Sequence, residues 1–232
     1  MTAIHILSGG AAQGLVAQLA EKFKTQTGFA IEGEYGAVGL MADKLRGGAP
    51  ADLVILTRAL VTRLADEKLV DTTSIADVGV VETALAVRAN DPGVTVKTES
   101  DLRDALRAAD AIFVPDTKTS TAGIHVAKVL DQLGIAGEVA SRLKFFPNGA
   151  VAMRQLATSD AKRPIGCTQA TEIIATKGIV LSGPLPSGHA LATMYTAGVT
   201  TRAAHVAAAR VLIELLAGAN QTELRRRVGF AG

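Results

Sequence analysis

The sequence predicts an α/β protein of two lobes, each a mixed, mostly parallel sheet flanked by helices. Apolar runs of strand length alternate with longer amphipathic segments along most of the 232 residues. This alternation is typical of parallel sheets covered by helices on both faces. Two extended runs, residues 78–89 and 189–198, stand where the chain would leave one lobe and return to it. We therefore expect residues 1–83 and 193–232 to form the first lobe and residues 84–192 the second, joined by a two-stranded hinge.

One pattern recurs in the first 58 residues. A strand over residues 3–7 runs into Ser8-Gly9-Gly10 and a helix, and a second strand over residues 29–34 runs into Gly36-Ala37-Val38 and another helix. A third strand, residues 53–56, ends at Thr57-Arg58. Each loop leaves the carboxyl end of a strand and opens a helix, so free backbone N–H groups and the positive end of the helix dipole face one edge of the sheet. The pattern predicts an anion site there.

The rest of the chain continues the alternation of strands and helices. Helices are predicted over residues 101–109, 122–133, 150–157, 202–216 and 221–228, and strands over residues 111–114, 143–146, 165–168 and 179–181. Ligands of open α/β sheets bind at the carboxyl ends of the strands. The loops that begin near Ser120, Gly149 and Thr168 are therefore the candidates in the second lobe.

Composition excludes several classes of function. The 24 basic and 22 acidic residues give a formal charge of +2 without a long basic run, so nucleic acid is not an expected partner. A single cysteine, Cys167, excludes an internal disulfide, and we expect it to be a buried strand residue. The four histidines lack metal-ligand spacing, so neither a metal nor another cofactor is expected. No apolar stretch is long enough to enter a bilayer, and we expect a monomer.

The order and spacing of these motifs resemble the type II periplasmic solute-binding proteins, most closely their molybdate-binding branch. The resemblance is carried by Thr25-Gln26-Thr27-Gly28, by Gly48-Ala49-Pro50-Ala51-Asp52-Leu53, by Thr121-Ala122-Gly123 and by Gly149-Ala150-Val151, and it covers nearly the whole chain. It implies a protein that closes on a small anion and delivers it to an ABC permease. It also implies the periplasm, but no signal peptide precedes the first strand, so a cytoplasmic location stays open.

The departures from that branch concern the ligand. Molybdate binders present serine hydroxyls in the first two loops, where this chain has Gly10-Ala11-Ala12 and Ala37-Val38. The tyrosine hydroxyl expected in the second lobe falls near Thr168-Gln169. A desolvated anion that loses one donor is destabilised by about 1–3 kcal/mol. We therefore expect an organic di- or tricarboxylate as first choice and a molybdate-like oxyanion as second.

A multivalent carboxylate needs cationic partners, and four side chains are placed for this role. Arg58 and Arg154 rank first because a guanidinium can bind a carboxylate through two parallel hydrogen bonds. Lys118 and His125 follow. A surface salt bridge is the competing interpretation of each. If the arginines bind the ligand, replacing either by Ala should weaken binding by about 2–5 kcal/mol.

The same branch is also similar to aconitate isomerase, which supplies the alternative function. A 1,3-proton shift needs a base over the carbon acid and donors for the developing enolate-like charge. His125 is then the candidate base, since it sits at a helix N-terminus beside hydroxyl groups. The complete set of candidate ligand residues is Ser8, Gly9, Gly10, Gly36, Ala37, Val38, Arg58, Ser120, Thr121, Ala122, His125, Gly149, Ala150, Val151, Arg154, Thr168 and Gln169.

Overall fold

A computed structural model describes residues 2–231, and the chain divides into two compact units. One contains the residues up to Val80 together with those from Thr193 onward, and the other is Val81–Ala192. The chain passes from the first unit to the second inside strand β4 (Ala76–Arg88) and returns at the start of β9 (Ala192–Val199). That these units are the lobes of a closing hinge stays a prediction.

The first unit is a four-stranded sheet with five helices. Besides β9, the sheet contains β1 (Ala3–Gly9), β2 (Ala30–Gly36) and β3 (Leu53–Thr57). The helices are α1 (Gln13–Thr27), α2 (Val38–Arg46), α3 (Arg58–Asp66), α9 (Val206–Ala217) and α10 (Thr222–Arg227). The strand order is β2-β1-β3-β9. The first three strands are parallel, and β9 runs antiparallel to β3.

Buried apolar residues explain why α1 forms and where it lies. Leu15, Leu19 and Phe23 recur at helical spacing and are fully buried, so one face of α1 closes over the sheet. Gly28 ends the helix in the left-handed conformation, at φ 76°, and donates its N–H to the carbonyl of Lys24 at 2.8 Å. A glycine adopts this C-cap conformation without steric strain.

Asp52 has a structural role in the motif that most strongly suggested the family. Its buried carboxylate accepts the N–H of His5 at 2.9 Å and that of His205 at 2.8 Å. It therefore joins β1 to the start of α9. The prediction that this helix begins at residue 202 is wrong, because the chain before Val206 folds into turns that contact Asp52 and the carbonyl of Lys68.

The second unit has the same layered construction. Its remaining strands are β5 (Ala111–Pro115), β6 (Leu143–Phe146), β7 (Pro164–Gln169) and β8 (Ile179–Pro184), and its helices are α4 (Glu99–Ala108), α5 (Thr121–Gln132), α6 (Ala136–Val139), α7 (Gly149–Ala157) and α8 (Ala170–Ile174). Strands β6, β5 and β7 are parallel neighbours. Strand β4 runs antiparallel to both β7 and β8.

Helices α3, α6 and α8 were not predicted as separate elements, and α3 and α8 share one reason. Each follows a strand without an intervening turn, because Thr57 and Gln169 keep extended backbone angles and serve directly as N-caps. No Gly, Pro or Asn therefore marks either helix start. The bounds of the predicted strands otherwise agree with the structure to within a few residues, as expected at element ends.

Within residues 2–231, no helix has both the length and the apolar character that crossing a bilayer requires. In the same range, no group of three or more His, Cys, Asp and Glu side chains is arranged to hold a metal ion.

Candidate functional site

Three strand-to-helix loops lie side by side at one edge of the first unit's sheet. Gly9 is in register with Gly36, and Ser8 is in register with Ile55, so β1, β2 and β3 end close together. A short 3-10 turn leads from β1 into α1, and α2 and α3 follow β2 and β3. The parallel arrangement thus brings the starts of three helices to one edge, where the sequence pattern predicted two.

The starts of these helices lack side-chain caps. Gly9 before the 3-10 turn, Ala37 before α2 and Thr57 before α3 make no side-chain hydrogen bond to the first turn. The first N–H groups of a helix have no partner within the helix itself. Backbone donors at this edge can therefore serve an anion.

Buried methyl groups surround these donors. Ala11, Ala12, Ala37 and Val38 are all buried. The only hydroxyl among the predicted residues of these loops, that of buried Ser8, donates to the carbonyl of Gly9 at 2.9 Å. The edge thus combines backbone N–H groups with apolar walls.

Tyr195 is a residue of this edge that the sequence analysis missed. It is buried in β9 opposite Thr57. A Cβ atom added to Gly9 would lie 2.7 Å from Cγ1 of Val38 and 3.0 Å from Cε1 of Tyr195, so the first loop fits only because residue 9 is glycine. A signal for Tyr195 was present in the sequence, because it is an aromatic residue within residues 189–198, the run predicted to return to the first lobe.

Arg58 is already paired within the first unit. Its Nε donates to Oδ1 of Asp77 at 2.9 Å, and its Nη2 contacts the other oxygen of the same carboxylate. Oδ1 of Asp77 also accepts the hydroxyl of Thr196 at 2.7 Å. The Arg58 side chain is 57% exposed, so a ligand carboxylate would have to compete with Asp77 for a guanidinium that also faces water.

In the second unit, α5 follows β5 after a loop over residues 116–120, and its N-cap Ser120 makes no side-chain hydrogen bond to the first turn. Thr121 and Ala122 open this helix. A Cβ atom on Gly123 would lie 2.1 Å from the carbonyl oxygen of Asp116, so the first turn packs directly on the preceding loop. Lys118 lies in that loop with an exposed side chain.

The loop before α5 is held by its own aspartate. Oδ1 of Asp116 accepts the hydroxyl of Thr119 at 2.8 Å and the N–H groups of Lys118 and Thr119 at 2.9 and 2.8 Å. These bonds, led by the one from the Thr119 hydroxyl, hold the pKa of Asp116 below its usual value. The loop that positions α5 is thus fixed locally.

The start of α7 is occupied by protein acceptors, contrary to the expectation that its N–H groups are free for a ligand. Oδ1 of Asn148 accepts the N–H of Val151 at 2.9 Å. The carboxyl group of Glu172 lies near this helix start, and its interactions with the N–H groups of Gly149 and Ala150 lower its pKa. The sequence analysis did not consider Glu172, the third residue of α8.

Glu172 is a buried carboxylate. Its Oε2 accepts the hydroxyl of Thr168 at 2.6 Å, so this predicted ligand donor is also engaged. Burial raises the pKa of Glu172, while the hydrogen bonds from Thr168 and from the N–H groups of Gln169, Ala150 and Gly149 lower it. Glu172 thus lies between the start of α7 and the start of α8, the helix to which it belongs.

Gln169 differs from the other predicted donors of this unit. Its side chain is buried, and within residues 2–231 neither Nε2 nor Oε1 has a hydrogen-bond partner. The hydroxyls of Thr83 and Thr171 are likewise buried without a partner in that range. Thr83 faces Gln169 in the register of β4 and β7. Unsatisfied polar groups therefore collect at the carboxyl end of β7.

His125 forms a defined hydrogen bond in the first turns of α5. Its Nε2 lies 2.7 Å from the carbonyl oxygen of His189. A carbonyl only accepts, so Nε2 carries the proton, and a neutral ring has its lone pair on Nδ1. The buried His189 ring contacts Glu99 at 3.2 Å, and this bond, followed by that from Arg103, lowers the pKa of Glu99.

The last predicted cation, Arg154, is exposed on α7, and its guanidinium has no ion pair or hydrogen bond within the part of the chain that the structure describes. It therefore differs from Arg58, whose guanidinium is paired with Asp77. Cys167 lies buried in β7, as predicted, and burial raises the pKa of its thiol to about 12.

A cavity of about 220 Å³ in the second unit lies away from these loops. It lies near the starts of β5 and β7. Apolar residues such as Val94 and Ala109 line it, together with polar residues that include Lys162 and Arg163. None of the candidate ligand residues lines it.

Comparison with known proteins gives a consistent assignment of the fold. The family described as "Bacterial extracellular solute-binding protein" matches residues 4–231. The chain is 24% identical to an aconitate isomerase of Pseudomonas sp over 228 residues, covering 94% of this chain and 83% of that protein. It is 23% identical to the molybdate-binding protein ModA of Escherichia coli (strain K12), covering 98% of this chain and 88% of that one. The structure of the Azotobacter vinelandii periplasmic molybdate-binding protein superposes with a TM-score of 0.81 at 18% identity, covering 99% of each chain.

Proposed function

Because the chain belongs to the family of bacterial extracellular solute-binding proteins, we propose that it binds a small organic di- or tricarboxylate for delivery to an ABC permease. One observation carries this choice of ligand. At the edge of the first unit, the starts of the 3-10 turn and of α2 lack side-chain caps, and Ala11, Ala12, Ala37 and Val38 at these two starts are buried residues without a hydroxyl. Backbone N–H groups can bind a carboxylate, while methyl groups contact the carbon atoms between two charged groups.

Molybdate is the weaker candidate on the same physical grounds. A compact tetrahedral oxyanion has no apolar surface and needs convergent donors on every side, and each donor that is lost costs it about 1–3 kcal/mol. Ala37 and the 3-10 turn Gly10–Ala12 offer only backbone donors. Two relatives of similar identity, one an aconitate isomerase and one a molybdate-binding protein, leave both ligand classes within reach of this fold.

Thermal-shift screening against molybdate, tungstate and a series of di- and tricarboxylates tests the proposal, followed by calorimetry on the best ligands. Binding to the native state raises its apparent stability by about 2.7 kcal/mol at a ligand concentration of 100 times the Kd. We expect carboxylates to give the larger shifts. Molybdate binding in the absence of any response to carboxylates would overturn the choice of ligand.

A matched pair of variants tests the role of the missing hydroxyls. Ala37→Ser restores a hydroxyl at the buried start of α2, and we expect it to improve binding of molybdate relative to a carboxylate. Ala17→Ser makes the same change at an exposed position of α1 and should leave the ratio unchanged. Equal ratios in both variants and the parent would remove the support that Ala37 gives to the proposal.

The second candidate function is isomerisation of an unsaturated carboxylate by proton transfer. It is favoured by the aconitate isomerase relative and by the hydrogen bond from Nε2 of His125 to the carbonyl of His189. That bond leaves Nδ1 of the neutral ring as the nitrogen able to accept a proton. The base would take a proton from one carbon, and the conjugate acid would return it to the carbon two bonds away.

Turnover separates the two functions. The protein is incubated with cis- or trans-aconitate, and the acid is then analysed by chromatography. A binding protein returns the isomer that was added, whereas an isomerase returns a mixture of the two. For an enzyme, His125→Gln should abolish isomerisation and leave ligand-induced stabilisation in place. For a binding protein, no isomer should form even at high protein concentration.

A further inference from the structure

Gln169 is a fully enclosed amide with unused hydrogen-bonding capacity. It ends β7, and neither its Nε2 nor its Oε1 has a partner within residues 2–231. Buried polar side-chain atoms are paired in the large majority of cases, and an unpaired one calls for an explanation. An amide offers two donors and one acceptor oxygen, so its complement must accept a hydrogen bond and donate one as well.

Two hydroxyls without partners lie at the same end of β7. Thr83 stands directly opposite Gln169 on β4, and side chains opposite each other in an antiparallel pair project from the same face with Cβ atoms about 4.5–5.5 Å apart. Thr171 follows Gln169 by two residues. The hydroxyl groups of both threonines are buried and unpaired in the described part of the chain. The unsatisfied groups are therefore neutral, and each can both donate and accept.

The donors suited to a negative charge in this part of the unit are already used. Asn148 accepts from Val151 and Glu172 accepts from Thr168, and interactions with the N–H groups of Gly149 and Ala150 lower the pKa of Glu172. A carboxylate only accepts hydrogen bonds. Placed against Gln169, it would leave Oε1 without a donor.

We infer that Gln169, with Thr83 and Thr171 beside it, recognises a neutral hydroxyl group of the ligand, so that the preferred cargo is a hydroxycarboxylate. A hydroxyl accepts from Nε2 and donates to Oε1, which satisfies both ends of the amide. A fully ionised oxyanion such as molybdate carries no donor and cannot do this. The inference rests on the proposed function, since it names the class of carboxylate that the protein binds.

The test compares two ligands that differ only in the hydroxyl. Citrate and propane-1,2,3-tricarboxylate share three carboxylates, and malate and succinate share two. Calorimetry on the parent protein should show the hydroxylated member of the preferred pair binding at least about tenfold more tightly, which corresponds to about 1.4 kcal/mol. A site built to hydrogen-bond a ligand hydroxyl discriminates strongly against the analogue that lacks it.

Variants assign that preference to the amide. Gln169→Leu removes both hydrogen-bonding atoms at similar size and should reduce the preference to less than about threefold, and Gln169→Met provides a second apolar replacement. Gln132→Leu makes the same substitution at an exposed position at the end of α5 and should keep the full preference. Should neither Gln169 variant fold, the preference of the parent protein alone decides the inference.

The possible failures are distinguishable. If the parent binds both members of each pair equally, or if the preference survives in both Gln169 variants, the hydroxyl inference is overturned and the carboxylate proposal stands. If none of the four acids binds while molybdate does, both the inference and the proposed function are overturned.

Discussion

The hydroxyl of Thr168 donates a 2.6 Å hydrogen bond to Oε2 of Glu172, and both residues are buried. This pair places a buried carboxyl group beside the start of α7. Oε2 of Glu172 and Oγ1 of Thr168 approach Gly149 so closely that a Cβ atom there would lie 1.9 and 2.1 Å from them. We therefore expect the second unit to bind a ligand mainly through groups other than the α7 amides.

We expect Glu172→Gln to change how stability depends on pH. Burial raises the pKa of Glu172 in the folded protein, so the folded state binds more protons than the unfolded chain between the unfolded and folded pKa values. The contribution of this carboxyl to stability is thus present at low pH and declines as pH rises through that window. The glutamine variant lacks the decline.

Urea unfolding of parent and variant from about pH 4 to pH 8 measures this effect. The stability of Glu172→Gln relative to the parent should increase with pH. Glu223→Gln, on the terminal helix α10, is the control, and its difference from the parent should stay nearly constant. A relative stability of Glu172→Gln that falls with rising pH would show that the hydrogen bonds outweigh burial.

Gly123→Ala should destabilise the protein by about 1–3 kcal/mol through overpacking. The new methyl group would meet the main-chain carbonyl of Asp116, which cannot rotate away as a side chain could. Gly137→Ala is the matched control, because nothing lies within 4 Å of its added Cβ atom and it is exposed in α6. Thermal and urea unfolding should show the control unchanged or more stable by up to about 1 kcal/mol. Equal effects of the two substitutions would contradict the close approach of α5 to its loop.

Cys167 should resist thiol reagents in the folded protein. Burial raises the pKa of its thiol to about 12, and the thiolate is the nucleophile, so little reactive form exists at about pH 8. Titration with a disulfide reagent should give no signal in native buffer and one thiol per chain after unfolding in guanidinium. Rapid native labelling would show that β7 opens readily.

Arg154→Ala should weaken carboxylate binding more than Arg58→Ala. Asp77 already neutralises Arg58, whereas Arg154 has no ion-pair partner within residues 2–231. Removing a cation that is buried against a charge of the ligand weakens binding by about 2–5 kcal/mol. Removing an exposed arginine that already has an ion-pair partner weakens binding by less than about 1 kcal/mol. Calorimetry on both variants measures the difference, and a larger loss for Arg58→Ala would mean that the ligand displaces Asp77.

The sequence by itself determined the order of the strands and of the longer amphipathic helices, and the edge of each sheet where most helices begin. Alternating strands and amphipathic helices are local patterns, written in the spacing of residues such as Leu15, Leu19 and Phe23. The burial of Cys167 in a strand follows from its apolar neighbours in the same way. Local periodicity is sufficient for such features because neighbouring residues on one face share one environment.

Only the tertiary structure decided which polar groups at those edges are already paired. Asp77 comes from β4 to meet Arg58, Glu172 comes from α8 to meet the start of α7, and Tyr195 comes from β9 to pack near Gly9. Each partner lies on a different element, and the strand order that brings the elements together leaves no mark in local spacing. The free energy of a buried polar group depends on whether it finds its partner, so the difference between an engaged donor such as Thr168 and an unsatisfied amide such as Gln169 appears only in the folded chain.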